Sequence, residues 1–147
     1  MKAAFVVFLT LLVFVMVWVL VSVLVAGISW AATVAGVRPG IFLTINVFLI
    51  WVLSPAVGAG VAVYAMIERF ASVDAKTIFV GFTSACGALA ALMFIFDLLL
   101  HLSGQGNGWK TVLFATQVVA IFGGAKIGSF AGVSLRPSNQ KSEAGFD

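Results

Sequence analysis

The chain has 147 residues, of which 63% are hydrophobic and only 9% charged. A soluble domain is about half apolar and about a quarter charged, and at this length it still exposes about a third of its unfolded surface, so water cannot be the solvent for most of this protein. Disorder is excluded by the same numbers, because disordered chains are poor in apolar groups and rich in charge. The formal net charge of +3 bears on orientation in a membrane rather than on nucleic acid, which is not an expected partner. A single cysteine, Cys86, rules out an intrachain disulfide and any relay built on a cysteine pair.

One membrane helix takes about 20 apolar residues, which leaves room for four crossings and no separate soluble domain. The first run covers residues 3–32, and no charged side chain stands between Lys2 and Arg38. Ser29-Trp30-Ala31 has the small-x-small form of a leader-cleavage site. The apolar part of a signal peptide is only about 7–15 residues long, so this run is expected to be an uncleaved first transmembrane helix. Arg38, Pro39 and Gly40 end it and start the next. A second run, residues 41–67, ends in a charged turn with Glu68, Arg69, Asp74 and Lys76. The third covers 77–102, a glycine-rich turn follows, and the fourth covers 111–133 before a polar tail, 134–147. Barrel strands are about 10 residues long with alternating polarity, unlike these runs. The expected fold is all-α: four transmembrane helices in an antiparallel bundle.

Orientation follows the excess of Lys and Arg. One side carries Lys2, Arg69, Lys76, Arg136 and Lys141, the other Arg38 and Lys110. That bias places both termini in the cytoplasm and the chain in the inner (plasma) membrane, or in an organelle membrane with the matrix side as its equivalent. Trp30 and Trp109 then fall at the outer boundary, whereas Trp18 and Trp51 fit an interfacial belt poorly.

Small residues let helix backbones approach in lipid. The fourth helix has Gly124, Gly128 and Gly132 at four-residue spacing, a glycine zipper in which successive members are displaced by only ~40°. Gln117 and Ile121 extend that stripe. The third helix has Gly81, Ser84, Ala85, Ala88 and Ala91, and the second has Ala56, Gly58, Gly60 and Ala62. Helices two, three and four are therefore expected to meet through these stripes. The first helix, crowded with bulky residues and lacking glycine before Gly27, is expected at the periphery. Ser54-Pro55 interrupts the second helix, and the missing proline N–H frees a carbonyl near Trp51.

Asp97 is the ionisable residue of most interest, because an intramembrane carboxylate is costly and is a functional candidate by default. It shares a face with Thr83, Cys86, Ala90 and His101, opposite the small-residue stripe. Its candidate partners are His101, Lys110 and Arg38. Lys126 lies opposite Gly124 and Gly128 and is expected to extend toward the headgroups or to contact a partner. Asn46 and Gln117 are candidates for interhelical hydrogen bonds. Residues 104–111 approach a phosphate-binding loop, but Trp109 stands where the second glycine is required.

No hydroxyl nucleophile has an evident base, no cluster has zinc spacing, and the lone His101 cannot supply both axial ligands of a haem. The chain is therefore expected to be neither an enzyme nor a cofactor or metal protein. Its expected partners are the lipid bilayer and other membrane subunits or copies of itself. The function expected is that of a non-catalytic accessory or assembly subunit of a larger membrane complex, with a small oligomeric channel or transporter using Asp97 as the alternative.

Overall fold

The computed structural model describes residues 2–36, 45–104 and 108–135, apart from the side chain of Trp109. Expectations about Arg38 and its turn, the middle of the glycine-rich turn and the tail beyond Leu135 lie outside the described residues. Every regular element among these residues is helical: α1 (Lys2–Val34), a π-helical turn (Leu49–Leu53), α2 (Ser54–Arg69), α3 (Ala75–Leu102) and α4 (Gly108–Ser134). Four stretches are long and apolar enough to cross a membrane, namely Lys2–Val34, Ile45–Arg69, Ala75–Leu102 and Lys110–Ser134.

Local chemistry sets the helix ends. Asp74 caps α3, its carboxylate accepting from the Lys76 backbone N–H at 3.3 Å, so the helix starts ahead of the purely apolar run. Beyond Val34 and Leu102 the chain passes through Gly36 and Gly104, with φ of +86° and +78°. A side chain would strain both positions, which is why glycine closes both helices.

The proline in the second span is accommodated by a π turn rather than by a break. Both the backbone N–H and the hydroxyl of Ser54 donate to the Leu49 carbonyl, the hydroxyl at 2.9 Å. Widening the turn by one residue lets Pro55 sit at the start of α2, where its missing N–H is least costly.

The core occupies one half of the molecule. It consists of Val6, Phe14, Ala59, Ala62, Val63, Met66, Ile67, Ala75, Ile78, Phe82 and Ala125, from residues 2–18, 54–69, 75–86 and 121–134. Phe14 links the helices by stacking on Trp18 and meeting Phe82 edge-on, each at 5.5 Å between centroids. In the other half the side chains stand open. From Leu92 to Leu99 every residue except Asp97 is exposed, with Leu92, Phe96 and Leu99 at about 60%.

Two packing expectations are corrected here. The first helix is not peripheral, since only the α2–α4 interface is more extensive than its interface with α2. Val6, Thr10 and Phe14 are buried on it. A Cβ on Gly58 would lie 3.2 Å from Trp18 Cβ and 3.3 Å from the Phe14 carbonyl oxygen. Smallness is needed on one side of an interface only, so the bulky residues of α1 fill the space left by α2. Nor does the small-residue stripe of α3 form a joint surface with α2 and α4. Ser84, Ala88 and Ala91 are exposed, Ala85 is half-buried, and Gly81 abuts Val7 of α1. The buried residues of α3 are instead Ala75, Ile78, Phe82 and Thr83.

Candidate functional site

Two features stand out: a backbone-to-backbone seam between α2 and α4, and a set of polar side chains in the open half. At the seam, a Cβ on Gly124 would lie 2.9 Å from Ala56 Cα, and one on Gly128 would lie 2.8 Å from Gly60 Cα. A Cβ on Gly60 would meet the Gly124 carbonyl oxygen at 3.1 Å. Gly132 continues the seam against the Ile67 side chain, at 2.9 Å from Cγ2. Beside the seam runs a shallow apolar groove of about 420 Å³, bordered by Leu53, Val57, Val61, Tyr64, Ile127 and Ala131. It offers van der Waals contact and almost no polarity.

The seam fixes the register of α4 against the second span. Gly124 opposes Ala56 and Gly128 opposes Gly60. Seven residues, or about two turns, earlier, the same face of α4 carries Gln117 at the level of the π turn, which α4 also contacts. Gln117 is only 6% exposed, and no hydrogen bond links its amide to another described residue. Most hydroxyls bond carbonyls of their own helix: Thr10 to Val6 at 2.7 Å, Thr83 to Phe79 at 2.8 Å and Thr116 to Leu113 at 2.8 Å.

Two side-chain bonds join helices in the open half. The Ser29 hydroxyl of α1 lies between the Val25 carbonyl, 2.7 Å away, and Oδ1 of Asn46, to which it also donates. The Thr111 hydroxyl of α4 donates to Oδ2 of Asp97 on α3 at 2.5 Å. Sequence reasoning offered His101 and Lys110 as partners of Asp97. Both are exposed, and neither forms an ion pair with it among the described residues. Thr111 was missed, although its hydrogen bond sets it level with Asp97. The face that Asp97 shares with Thr83, Cys86 and Ala90 is the inward one, since Thr83 is buried and the other three are half-buried.

Lys126 stands exposed among Val119, Phe122 and Phe130, away from the seam. No group of three His, Cys, Asp or Glu side chains comes together among the described residues. Comparisons with protein-family models, with curated proteins and with solved structures each gave no match.

Proposed function

We propose that the protein is a non-catalytic accessory or assembly subunit of a larger membrane protein complex. The observation that carries this reading is the open half of α3. Residues at consecutive positions from Leu92 to Phe96, followed by Leu98 and Leu99, are all large, apolar and about half exposed or more. Consecutive residues are about 100° apart, so these side chains cover the whole circumference of the helix. A helix that is apolar on every side is a membrane span surrounded by lipid or one inserted among other helices. Asp97, the half-buried residue within this segment, bonds Thr111 of α4, and the exposed remainder suits insertion among helices of other chains.

The arrangement we assign is an antiparallel bundle with both termini cytoplasmic, in the inner (plasma) membrane. The excess of Lys and Arg at residues 2 and 69–76 supports it. Ser29 bonded to Asn46, Phe14 beside Gly58 and Asp97 bonded to Thr111 are pairings expected of helices that reverse direction at each turn.

Purification in mild detergent, followed by stoichiometry measurement and flux assays in proteoliposomes, tests the reading. Other membrane chains at fixed stoichiometry, with no flux by the isolated protein, are the expected result. Ion or solute flux by the protein alone, lost in Asp97→Asn, would overturn it in favour of a small oligomeric transporter.

A further inference from the structure

We infer that the open half of α3 is a docking surface for a transmembrane helix of another chain that carries one lysine or arginine at the depth of Asp97. The inference rests on the subunit reading above and adds the chemistry of the partner. Asp97 lies five residues from the end of α3, about 7–8 Å along the axis at ~1.5 Å per residue. Its neighbours one turn back, Met93 and Phe94, are large, apolar and exposed. An ionised carboxylate has only acceptor sites, on two oxygens. Among the described residues one donor is supplied, the Thr111 hydroxyl at Oδ2. Asp97 is half-buried with the apolar side chains of Met93 and Phe94 beside it, and no described cation forms an ion pair with it. A membrane carboxylate is costly unless it is paired. A partner helix that covers Met93, Phe94 and Phe96 would remove interfacial water as well, so it must bring the compensating charge itself. An apolar helix with a single ammonium or guanidinium group satisfies both requirements, because its stem packs on the phenylalanines while its head meets Oδ1.

Lys126 of a second copy does not meet them. Asp97 is level with Thr111, and the membrane lysine, Lys126, is fifteen residues further along α4, or about 22 Å away in depth. Copies inserted in the same orientation therefore cannot pair the two groups.

The test uses the full chain in phosphatidylcholine vesicles, with a donor dye at Leu135→Cys in a Cys86→Ser background. Acceptor-labelled polyleucine transmembrane peptides carry either no charge, one lysine or one glutamate about five residues from one end. The lysine peptide is expected to associate about tenfold more tightly than the uncharged one, the scale of a good interhelical polar contact. Asp97→Asn should remove that difference and Asp97→Glu should retain it, with circular dichroism reporting that each variant folds. Equal association of all three peptides would overturn the inference and leave the surface to acyl chains. Transfer between copies of the protein that survives Asp97→Asn would assign the surface to self-association. Lysine-peptide binding that appears only in Arg38→Gln would assign the carboxylate to its own chain's arginine. If the peptide fails to bind while the protein still co-purifies at fixed stoichiometry with other chains, docking at Asp97 falls and the subunit reading stands.

Discussion

Gly123 and Gly124 are neighbours in α4, and the same substitution should have opposite consequences at the two sites. A Cβ at Gly123 meets nothing within 4 Å, whereas one at Gly124 would sit 2.9 Å from Ala56 Cα and closer still to the Ala56 carbonyl. Ordinary carbon contacts lie at about 3.5–4.0 Å. The helices must therefore separate by about 1 Å at the seam, because backbone atoms have no rotamer through which to yield. Overpacking of this kind costs about 1–3 kcal/mol. The seam is continuous through Gly60 and Gly128, so separation also weakens the contacts one turn away, and Gly124→Ala belongs at the upper end of that range. Gly123→Ala gains helix propensity, worth up to about 1 kcal/mol in exposed helices of water-soluble proteins, and should be neutral or stabilising. Reversible unfolding by denaturing detergent in mixed micelles, followed by circular dichroism, measures both. Equal midpoints for the two variants would refute the seam as a close backbone contact.

Gly81→Ala should be milder than Gly124→Ala, because the added methyl meets a Val7 side-chain methyl at 2.5 Å rather than backbone; Val7→Ala should restore most of the lost stability in the same unfolding assay. Ser54→Ala removes the hydroxyl bond to the Leu49 carbonyl but leaves the backbone bond, so a loss of about 0.5–1 kcal/mol is expected, and no change in the unfolding midpoint would show that the hydroxyl does not support the π turn. For topology, cysteines at Asp74 and Gly36 in a Cys86→Ser background should react with an impermeant thiol reagent from opposite sides of the membrane; labelling of position 74 from outside the cell would reverse the assigned orientation.

The spans were legible in the sequence because lipid imposes a long apolar run, which appears in composition alone. Their partners were less so. Gly124 and Gly128 signalled a close approach through spacing, and the second span supplied the small residues opposite. The same logic misplaced α3, where Ala88 and Ala91 match the small-residue pattern yet face outward. A small side chain permits a close contact without requiring one, and the face that turns inward carries Ile78 in the core and Phe82 against Phe14 of α1. Bulk on α1 suggests the periphery, although a bulky helix packs well against a helix that offers glycine. Pro55 signalled a disturbance, but its form depended on Ser54 donating twice to one carbonyl, a geometry that residue type alone does not specify. The partner of Asp97 was hidden because ion-pair reasoning looks for charge, whereas the group bonded to it on α4 is a hydroxyl.

The distribution of polar groups separates the two functional classes more sharply than their number does. A transporter must present polar atoms to a path near the middle of the membrane and keep them free for the substrate. Here the buried hydroxyls of Thr10, Ser54 and Thr83 all donate within their own helix span, and the core around them is packed by Phe14, Ile67 and Phe82. The helix-joining polar bonds, at Asn46 and Asp97, lie in the half where the apolar side chains stand open. The hydroxyls of the tight half are thus committed, the Gln117 amide at the level of the π turn is a buried polar group with no described partner, and the open half combines large apolar side chains with a carboxylate that has one described donor. Opening a solute path would require the tight half to part against the α2–α4 seam. Receiving another helix requires only that the open half be covered, which breaks none of the contacts that hold the four helices together.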